Sequence, residues 1–276
     1  MTGLLTEPAE APVPARRRRS RSASRATVLA LQILAVLAVL GLWQLAHVSG
    51  WGRPVVVQSP GRMFEALGDL IAQPVFWTNF AATLLAALTA LVLAIVIGAP
   101  VGLVIGSVPT ASRVFTPLIN AINAMPRIAL APVFIVIFGI ATPAKVAMAF
   151  SLAIFVMIVN AQAGGAAADQ EAVRMLTSIG ASRGQILRKI VLPAAVPSLV
   201  AGSRLAVIMS LLGVISSELI AARDGLGLMI VQSTGIFDMA TTYALLVVLV
   251  VTAAVINFAG DVAERRLLRW RPPVAR

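Results

Sequence analysis

The chain has 276 residues, of which 59 % are hydrophobic and 12 % charged, and its mean hydropathy is +0.94. Soluble domains are roughly 45–50 % apolar and roughly 25 % charged, so this composition excludes an ordinary water-soluble protein. Because a membrane-spanning helix needs about 20 apolar residues, roughly five to seven spans would occupy the chain and leave no room for a soluble catalytic domain. The absence of cysteine excludes disulfides and cysteine-ligated metals, and the single histidine, His47, excludes paired-histidine metal sites.

The N-terminal segment is basic and rich in Pro, Ala, Arg and Ser. We predict that residues 1–25 form a disordered cytoplasmic tail. The uncharged stretch 26–46 that follows is longer than the core of a cleavable signal peptide and predicts a first spanning helix.

Five further apolar stretches predict five more spans, which gives an all-α integral membrane protein with six transmembrane helices over residues 26–264 and a second basic tail at 265–276. The only charged residues inside these stretches are Arg127, Arg204 and Glu218. The stretches cover residues 80–106, 114–144, 146–168, about 193–220, and 239–260.

The distribution of positive charge predicts the orientation. If the N-terminus is cytoplasmic, the inner segments are 1–25, 107–113, 169–190 and 261–276, and they contain sixteen of the 22 Lys and Arg residues. The outer segments contain four, which are Arg53, Arg62, Lys145 and Arg223. This asymmetry follows the positive-inside rule and predicts that both termini are cytoplasmic. Since topology and contact with anionic lipid account for the charge, we expect no nucleic-acid partner.

Gly98, Gly102 and Gly106 recur at four-residue spacing in the second span, with Pro100 between them. This small-xxx-small pattern predicts close packing against another helix, and it leaves open whether the helix also bends near a pathway. In the outer connection 48–78, Ser59-Pro60 precedes apolar residues at helical spacing, which predicts a short amphipathic helix at the outer surface.

The inner connection 169–190 is the most informative segment. Helical apolar spacing ends at Gly180, and Ser182 followed by Gln185 is a capping-box pattern that predicts a second short helix, with Pro193 at the junction to the next span. Two short helices joined by a Gly-Ala-Ser turn suit docking of a cytoplasmic protein whose movement reaches spans four and five. A surface-lying or re-entrant loop without a partner is the alternative.

The chain lacks the residues for nucleotide or hydrolytic chemistry. Its only lysines, Lys145 and Lys189, do not lie in a phosphate-binding loop. Residues 180–184 match the G-x-S-x-G expression, but a helix precedes Ser182 and the only histidine is predicted across the membrane, so we do not interpret them as a nucleophile elbow. We expect no enzymatic activity and no cofactor or metal bound by this chain.

Charged residues inside spans are candidates for a pathway. Glu218, with the adjacent Ser216 and Ser217, either lines a translocation pathway or reaches the outer interface. For Arg127 and Arg204 we expect guanidinium groups that extend to the inner surface rather than contact substrate.

The inner connection resembles the cytoplasmic loop of the membrane subunits of bacterial ATP-binding-cassette (ABC) importers. That pattern has a Glu-Ala-Ala triplet, a Gly six residues after its Glu, an Ile ten residues after the Gly, and then Leu-Pro. Gly180, Ile190, Leu192 and Pro193 fit this spacing, whereas Arg174 occupies the position of the Glu. Further segments resemble the nitrate, sulfonate and taurine branch: 125–132, 138–140, 180–183, 217–218 with 225–227, and 264–270.

The resemblance implies a type I ABC importer-like fold in the bacterial cytoplasmic (inner) membrane. It implies a homodimer with two cytoplasmic ATPase subunits, which bind ATP and Mg²⁺, and an extracytoplasmic solute-binding protein. Residues 169–190 would then be the coupling helices, with ATPase contacts at Glu171, Arg174, Ile179, Gly180, Ala181, Ser182, Arg183 and Gln185.

For the solute, the resemblance implies a small anionic organic molecule, with taurine or an aliphatic sulfonate first and nitrate or a pyrimidine precursor of thiamine next. A self-sufficient channel or secondary carrier is the competing class, and it would use Glu218, Arg127 and Arg204 as relays. A membrane scaffold would share the docking loop but carry no solute.

Overall fold

The computed structural model describes residues 25–51 and 56–267, and within these ranges the regular structure is helical, without strands. Five helices there are long and apolar enough to cross a membrane, and a bent pair of shorter helices makes a sixth crossing when it is counted as one span. The predicted all-α membrane fold is therefore confirmed.

We number the helices in chain order. Their bounds are α1 Arg25–Val48, α2 Pro60–Ala72, α3 Pro74–Ser107, α4 Pro109–Asn123, α5 Ala131–Phe138, α6 Thr142–Ala166, α7 Gln170–Ser178, α8 Arg183–Ile186, α9 Leu192–Ile220, α10 Leu226–Gly235 and α11 Met239–Leu267. A 3₁₀ turn, Arg127–Leu130, precedes α5, and a π-helical turn, Leu187–Val191, joins α8 to α9.

Helices α3, α6 and α9 pack against one another and form the centre of the bundle. Their contacts are made by small side chains, among them Ala86, Ala90 and Ala149, which are fully buried. Lipid is as apolar as a leucine side chain, so helices in a membrane associate through close van der Waals packing, which small residues allow.

The glycines of α3 show how close this packing is. A Cβ on Gly102 would lie 2.3 Å from the carbonyl oxygen of Ile158, and a Cβ on Gly106 would lie 2.1 Å from that of Gln162. Both neighbours are backbone atoms of α6, so a side chain at either glycine would force the two helices apart. The predicted close packing at the glycine pattern is confirmed.

The third span is broken, although the sequence predicted a single span over 114–144. Helix α4 ends at Asn123, and the chain restarts at Arg127 with a bend of 76°. The physical cause is Pro126, which has no amide hydrogen for a helical bond and excludes Met125 from the helical conformation. Helix α5 then ends at Gly139, whose φ is +75°.

The inner connection differs from the prediction in its second half. The first helix, α7, ends before Gly180 as predicted, but α8 does not end as a separate helix near Pro193. It continues through the π turn into α9, so that the fifth span extends from Arg183 to Ile220 over 38 residues. Pro193 has no amide hydrogen, so it cannot donate a hydrogen bond to a carbonyl in the preceding turn. The widened π turn before it accommodates this missing hydrogen bond, and the helix continues.

The predicted outer amphipathic helix is α2. The Ser59 side chain accepts a hydrogen bond from the backbone amide of Arg62 and so caps its N-terminus. Met63 and Leu70 are buried, whereas Phe64 is 54 % exposed. At the C-terminus, α11 extends three residues beyond the predicted boundary at 264. The predicted tail 1–25, apart from Arg25, and residues 268–276 lie outside the described residues.

Candidate functional sites

Three local features stabilise the inner turn between α7 and α8. The Asp169 side chain accepts the amide of Glu171 at 2.9 Å and caps α7. Gly180 has a φ of +82°, a conformation that favours glycine, and it reverses the chain direction. The Ser182 amide donates to the Gln185 side chain at 2.8 Å, and the Gln185 amide donates to the Ser182 hydroxyl at 3.3 Å. The predicted capping box is confirmed.

All eight predicted docking residues lie together on this helix–turn–helix. Ala181 is half-buried, and the other seven are exposed: Glu171, Arg174, Ile179, Gly180, Ser182, Arg183 and Gln185. The structure adds Met175, which is 64 % exposed, beside Ile179, which is 72 % exposed. Their spacing of four residues in the sequence was the signal for one shared apolar face. Exposed apolar side chains at this turn suit either a docked partner or the membrane surface, so docking at the turn stays a prediction.

A second polar site lies where α9 ends. The Glu218 carboxylate is completely buried and accepts hydrogen bonds from Lys145 at 3.1 Å, from the Thr83 hydroxyl at 2.9 Å and from the Gly227 amide at 2.9 Å. The Thr83 hydroxyl in turn accepts the amide of Leu226 at 2.9 Å. This cluster joins α3, α6, α9 and the start of α10 in one network.

Lys145 lies inside the bundle, and the predicted outer-loop position is wrong. It was assigned to an outer loop, but its side chain is 2 % exposed, at the beginning of α6. Its ammonium group pairs with Glu218 and with the half-exposed Asp224, and it also donates to the Asp224 carbonyl at 2.6 Å. The sequence did contain a signal for this pair. Spans four and five are consecutive and antiparallel, and Lys145 and Glu218 lie near their predicted outer ends with opposite charges.

The loop after α9 can approach Glu218 only because it contains glycine. Gly225 has a φ of +115°, and a Cβ there would lie 2.0 Å from a Glu218 carboxylate oxygen. The Gly225 amide also donates to the Asn79 side chain at 2.6 Å, which ties the loop to α3. The loop is therefore fixed from both sides.

Comparison with known protein families identifies the family of this chain. A family model described as "Binding-protein-dependent transport system inner membrane component" matches residues 98–271, more than half of the chain. The chain belongs to this family. It is a multi-pass permease of the inner membrane and a subunit of an ABC importer, and its family implies an ATPase and a solute-binding protein as partners.

Individual relatives align over most of the permease. The taurine transport system permease protein TauC of Escherichia coli (strain K12) is 32 % identical over 259 residues, which are 91 % of this chain and 92 % of TauC. The riboflavin transport system permease protein RibX of Chloroflexus aurantiacus is 31 % identical over 253 residues, which are 91 % of this chain and 94 % of RibX. Among solved structures, the inward-facing MetNI methionine ABC transporter aligns with a TM-score of 0.63 and 23 % identity, over 71 % of this chain and 98 % of that one, and this similarity shows the fold alone.

Arg127 of the permease does not extend to the inner surface as predicted. It is 6 % exposed, and its guanidinium donates to the Ser151 carbonyl of α6, to the Asn123 side chain at 2.8 Å and to the Ile122 carbonyl at 3.5 Å. It also lies 3.9 Å over the Phe155 ring. These acceptors and the Phe155 ring hold the guanidinium inside the bundle.

The remaining predicted residues lie as follows. Arg204 pairs with Asp261 of α11 at 2.5 Å, and both side chains are about one-third exposed. Ser217 is buried beside Glu218, whereas Ser216 is half-buried and donates to the Leu212 carbonyl at 2.7 Å. Glu218 thus lies inside the bundle, while a role of Ser216, Ser217 and Glu218 in a pathway stays a prediction.

Proposed function

We propose that this permease imports a small anionic organic solute, with taurine or an aliphatic sulfonate as the first candidates and nitrate or a pyrimidine precursor of thiamine next. Two features support this class. Relatives named for taurine and for aliphatic sulfonates align over most of the chain. Among the described residues, the charge buried in the third span is a cation, Arg127, which suits an anionic solute.

ATP would act through residues 169–190. The observation that carries this proposal is the continuity of the helix from Arg183 to Ile220, which begins at the exposed turn and spans the membrane. An ATPase subunit that binds the turn and moves it would pull directly on the helix that crosses the membrane. ATP and Mg²⁺ belong to that partner, since neither lysine of this chain lies in a phosphate-binding loop.

The transport cycle is then a two-state equilibrium. ATP-driven closure of the ATPases favours one orientation of the bundle, and hydrolysis returns it to the other. A second copy of the chain completes the pathway, and the solute-binding protein delivers solute at the outer side, where α2 and α10 lie.

Copurification tests the docking assignment. The tagged permease is purified with its ATPase, and Ile179→Asp is compared with the matched Ile179→Val variant. A charge at a surface that is apolar when bound should abolish ATPase recovery, whereas valine should retain it. If Ile179→Asp recovers the ATPase as well as wild type does, the turn is not the docking surface.

The absence of cysteine makes the orientation directly measurable. Single variants Asp69→Cys on α2 and Ser182→Cys at the turn are treated in intact cells with a membrane-impermeant maleimide. Only Asp69→Cys should react before permeabilisation. The reverse labelling would place the turn outside and exclude contact with a cytoplasmic ATPase.

A self-sufficient carrier is the alternative, and it predicts ATP-independent flux by the chain alone in liposomes. The family to which the chain belongs favours the importer. Flux without ATPase subunits would reverse this preference.

A further inference from the structure

The break in the third span exposes irregular backbone at membrane depth. Ala124, Met125 and Pro126 lie between α4 and the 3₁₀ turn, and all three are exposed. Their depth follows from Arg127, which binds the carbonyl of Ser151, a residue nine positions after Thr142 and fifteen before Ala166. At 1.5 Å per residue, this carbonyl is about 13 Å from one end of α6 and about 22 Å from the other.

The amides of Ala124 and Met125 donate to the carbonyls of Asn120 and Ile122, but lipid cannot satisfy the backbone carbonyl groups that the break removes from the helical hydrogen-bond pattern. Non-helical backbone at membrane depth occurs where it is covered by protein or lines a water-filled cavity. Interrupted helices in transporters also place their free ends at substrate sites. The exposed side of residues 123–127 therefore faces the pathway or the second copy, and not the hydrocarbon.

A cation without a counter-ion lies directly behind this surface. Within the described residues, no carboxylate pairs with Arg127, and its three acceptors are two carbonyl oxygens and one amide oxygen. A buried charge in a membrane protein is costly unless something of opposite charge approaches it. Asn123, which accepts from Arg127, is itself exposed, so its amide lies between the guanidinium and the surface.

We propose that residues 123–127 form an anion-contact site in the translocation pathway. Arg127 supplies the positive charge, and the exposed amide of Asn123 donates to the sulfonate or other anionic group of the solute. The site rests on the proposed function, since it requires a solute with an anionic group. The contact is weak because the guanidinium stays behind Asn123, and weak binding lets the solute leave again.

The competing explanation is structural: Arg127 only ties the bend to α6. Asn123→Asp distinguishes the two, because aspartate has nearly the shape of asparagine and accepts the same hydrogen bond. It strengthens the tie to Arg127 but cancels the positive charge and removes the amide donor. The matched control is Arg113→Gln on the same helix, where an exposed charge is removed away from the break.

The assay uses proteoliposomes that contain the permease, its ATPase and its solute-binding protein. Uptake of radiolabelled taurine, ethanesulfonate and uncharged riboflavin is measured beside binding-protein-stimulated ATP hydrolysis and melting temperature. We expect Asn123→Asp to lower sulfonate or taurine uptake about tenfold or more, the ratio for losing one charge-assisted contact, with stimulated ATP hydrolysis retained. Arg113→Gln should transport like wild type, and Arg127→Lys should retain more uptake than Arg127→Gln.

Each other outcome overturns the assignment. Equal uptake by Asn123→Asp and wild type would show that the charge does not act on the solute. Parallel losses of uptake, stimulated ATP hydrolysis and melting temperature would identify a structural role. If wild type takes up riboflavin but neither taurine nor ethanesulfonate, the proposed solute class fails and the anion site fails with it. If wild type takes up a sulfonate and Asn123→Asp takes it up equally well, only the anion site is refuted.

Discussion

Glu218→Gln is the substitution whose effect the structure defines most closely. One carboxylate oxygen of Glu218 accepts from Lys145 at 3.1 Å, and the other accepts from the Gly227 amide at 2.9 Å. Glutamine replaces one of these oxygens with an NH₂ group. In either amide orientation, a donor then faces a donor, and one charge-assisted hydrogen bond is lost.

The size of the effect follows from these contacts. Removing one partner of a buried ion pair costs about 3–5 kcal/mol when the other charge is left alone. In the Glu218→Gln variant, Lys145 still contacts both the carboxylate and the backbone carbonyl of Asp224. This remaining partner reduces the expected loss of stability to about 2–4 kcal/mol. At about 2–4 °C per kcal/mol for a chain of this size, we expect an apparent melting temperature about 5–15 °C below wild type.

The assay is thermal unfolding of the purified permease in detergent, monitored by size-exclusion chromatography. Glu65→Gln is the matched control, because the same change at an exposed carboxylate of α2 should alter stability by less than about 0.5 kcal/mol. The double variant Lys145→Met/Glu218→Gln should be less destabilised than the sum of the single variants, since each removes the other's unpaired partner.

An unchanged melting temperature for Glu218→Gln would refute the structural role of the buried pair. If, in addition, uptake per folded molecule fell, the pathway role predicted for Glu218 from the sequence would account for the result. Loss of stability with normal uptake per folded molecule would instead leave Glu218 as a residue that positions the outer loop.

Three further substitutions test the packing and the turns by thermal unfolding or copurification. Gly106→Ala should destabilise the permease because its Cβ meets the α6 backbone, whereas Gly260→Ala, which meets nothing within 4 Å, should be neutral or stabilising by up to about 1 kcal/mol. Gly225→Ala should lower the melting temperature, because its φ of +115° disfavours alanine and the new Cβ would displace the Glu218 carboxylate; an unchanged melting temperature contradicts this. Gly180→Ala should weaken ATPase copurification through backbone strain of about 1–2 kcal/mol. Gly184→Ala should not, because a Cβ there also meets nothing within 4 Å and Gly184 has no positive φ. Equal behaviour of Gly106→Ala and Gly260→Ala, or of Gly180→Ala and Gly184→Ala, contradicts the argument.

The spans were predictable because hydropathy is a local property of the chain. Uncharged stretches located five long helices, and the glycine spacing of the second span predicted its close packing with another helix. The inner turn was equally local, since Gly180 and the Ser182–Gln185 pair act within a few residues. Local signals of this kind need no knowledge of which helices become neighbours.

The Lys145–Glu218 pair and the inward fold of Arg127 were not predicted because both depend on helix neighbours. Lys145 and Glu218 are 73 residues apart and meet only when α6 and α9 pack side by side. Arg127 finds its acceptor 24 residues away on α6, at a bend that one proline inside an apolar stretch does not distinguish from an ordinary kink. Charge alone suggested the membrane surface for both cations, whereas internal acceptors hold them within the bundle.

The two candidate sites lie at opposite ends of one helix. It begins after the Ser182 cap at the inner turn and ends two residues beyond Glu218, and its 38 residues extend over about 57 Å at 1.5 Å per residue. Displacement of the turn is therefore expected to move Glu218 relative to Lys145 on α6, unless the π turn at Leu187–Val191 absorbs it, because a widened turn is the most deformable part of such a helix. Spin labels at Gly184→Cys and Leu219→Cys, two exposed positions inside this helix, are compared in the nucleotide-free and vanadate-trapped transporter to separate the two cases. A constant distance between these labels, with both shifted relative to a third label at Thr142→Cys on α6, indicates rigid transmission, and a changed distance places the flexible point inside the helix.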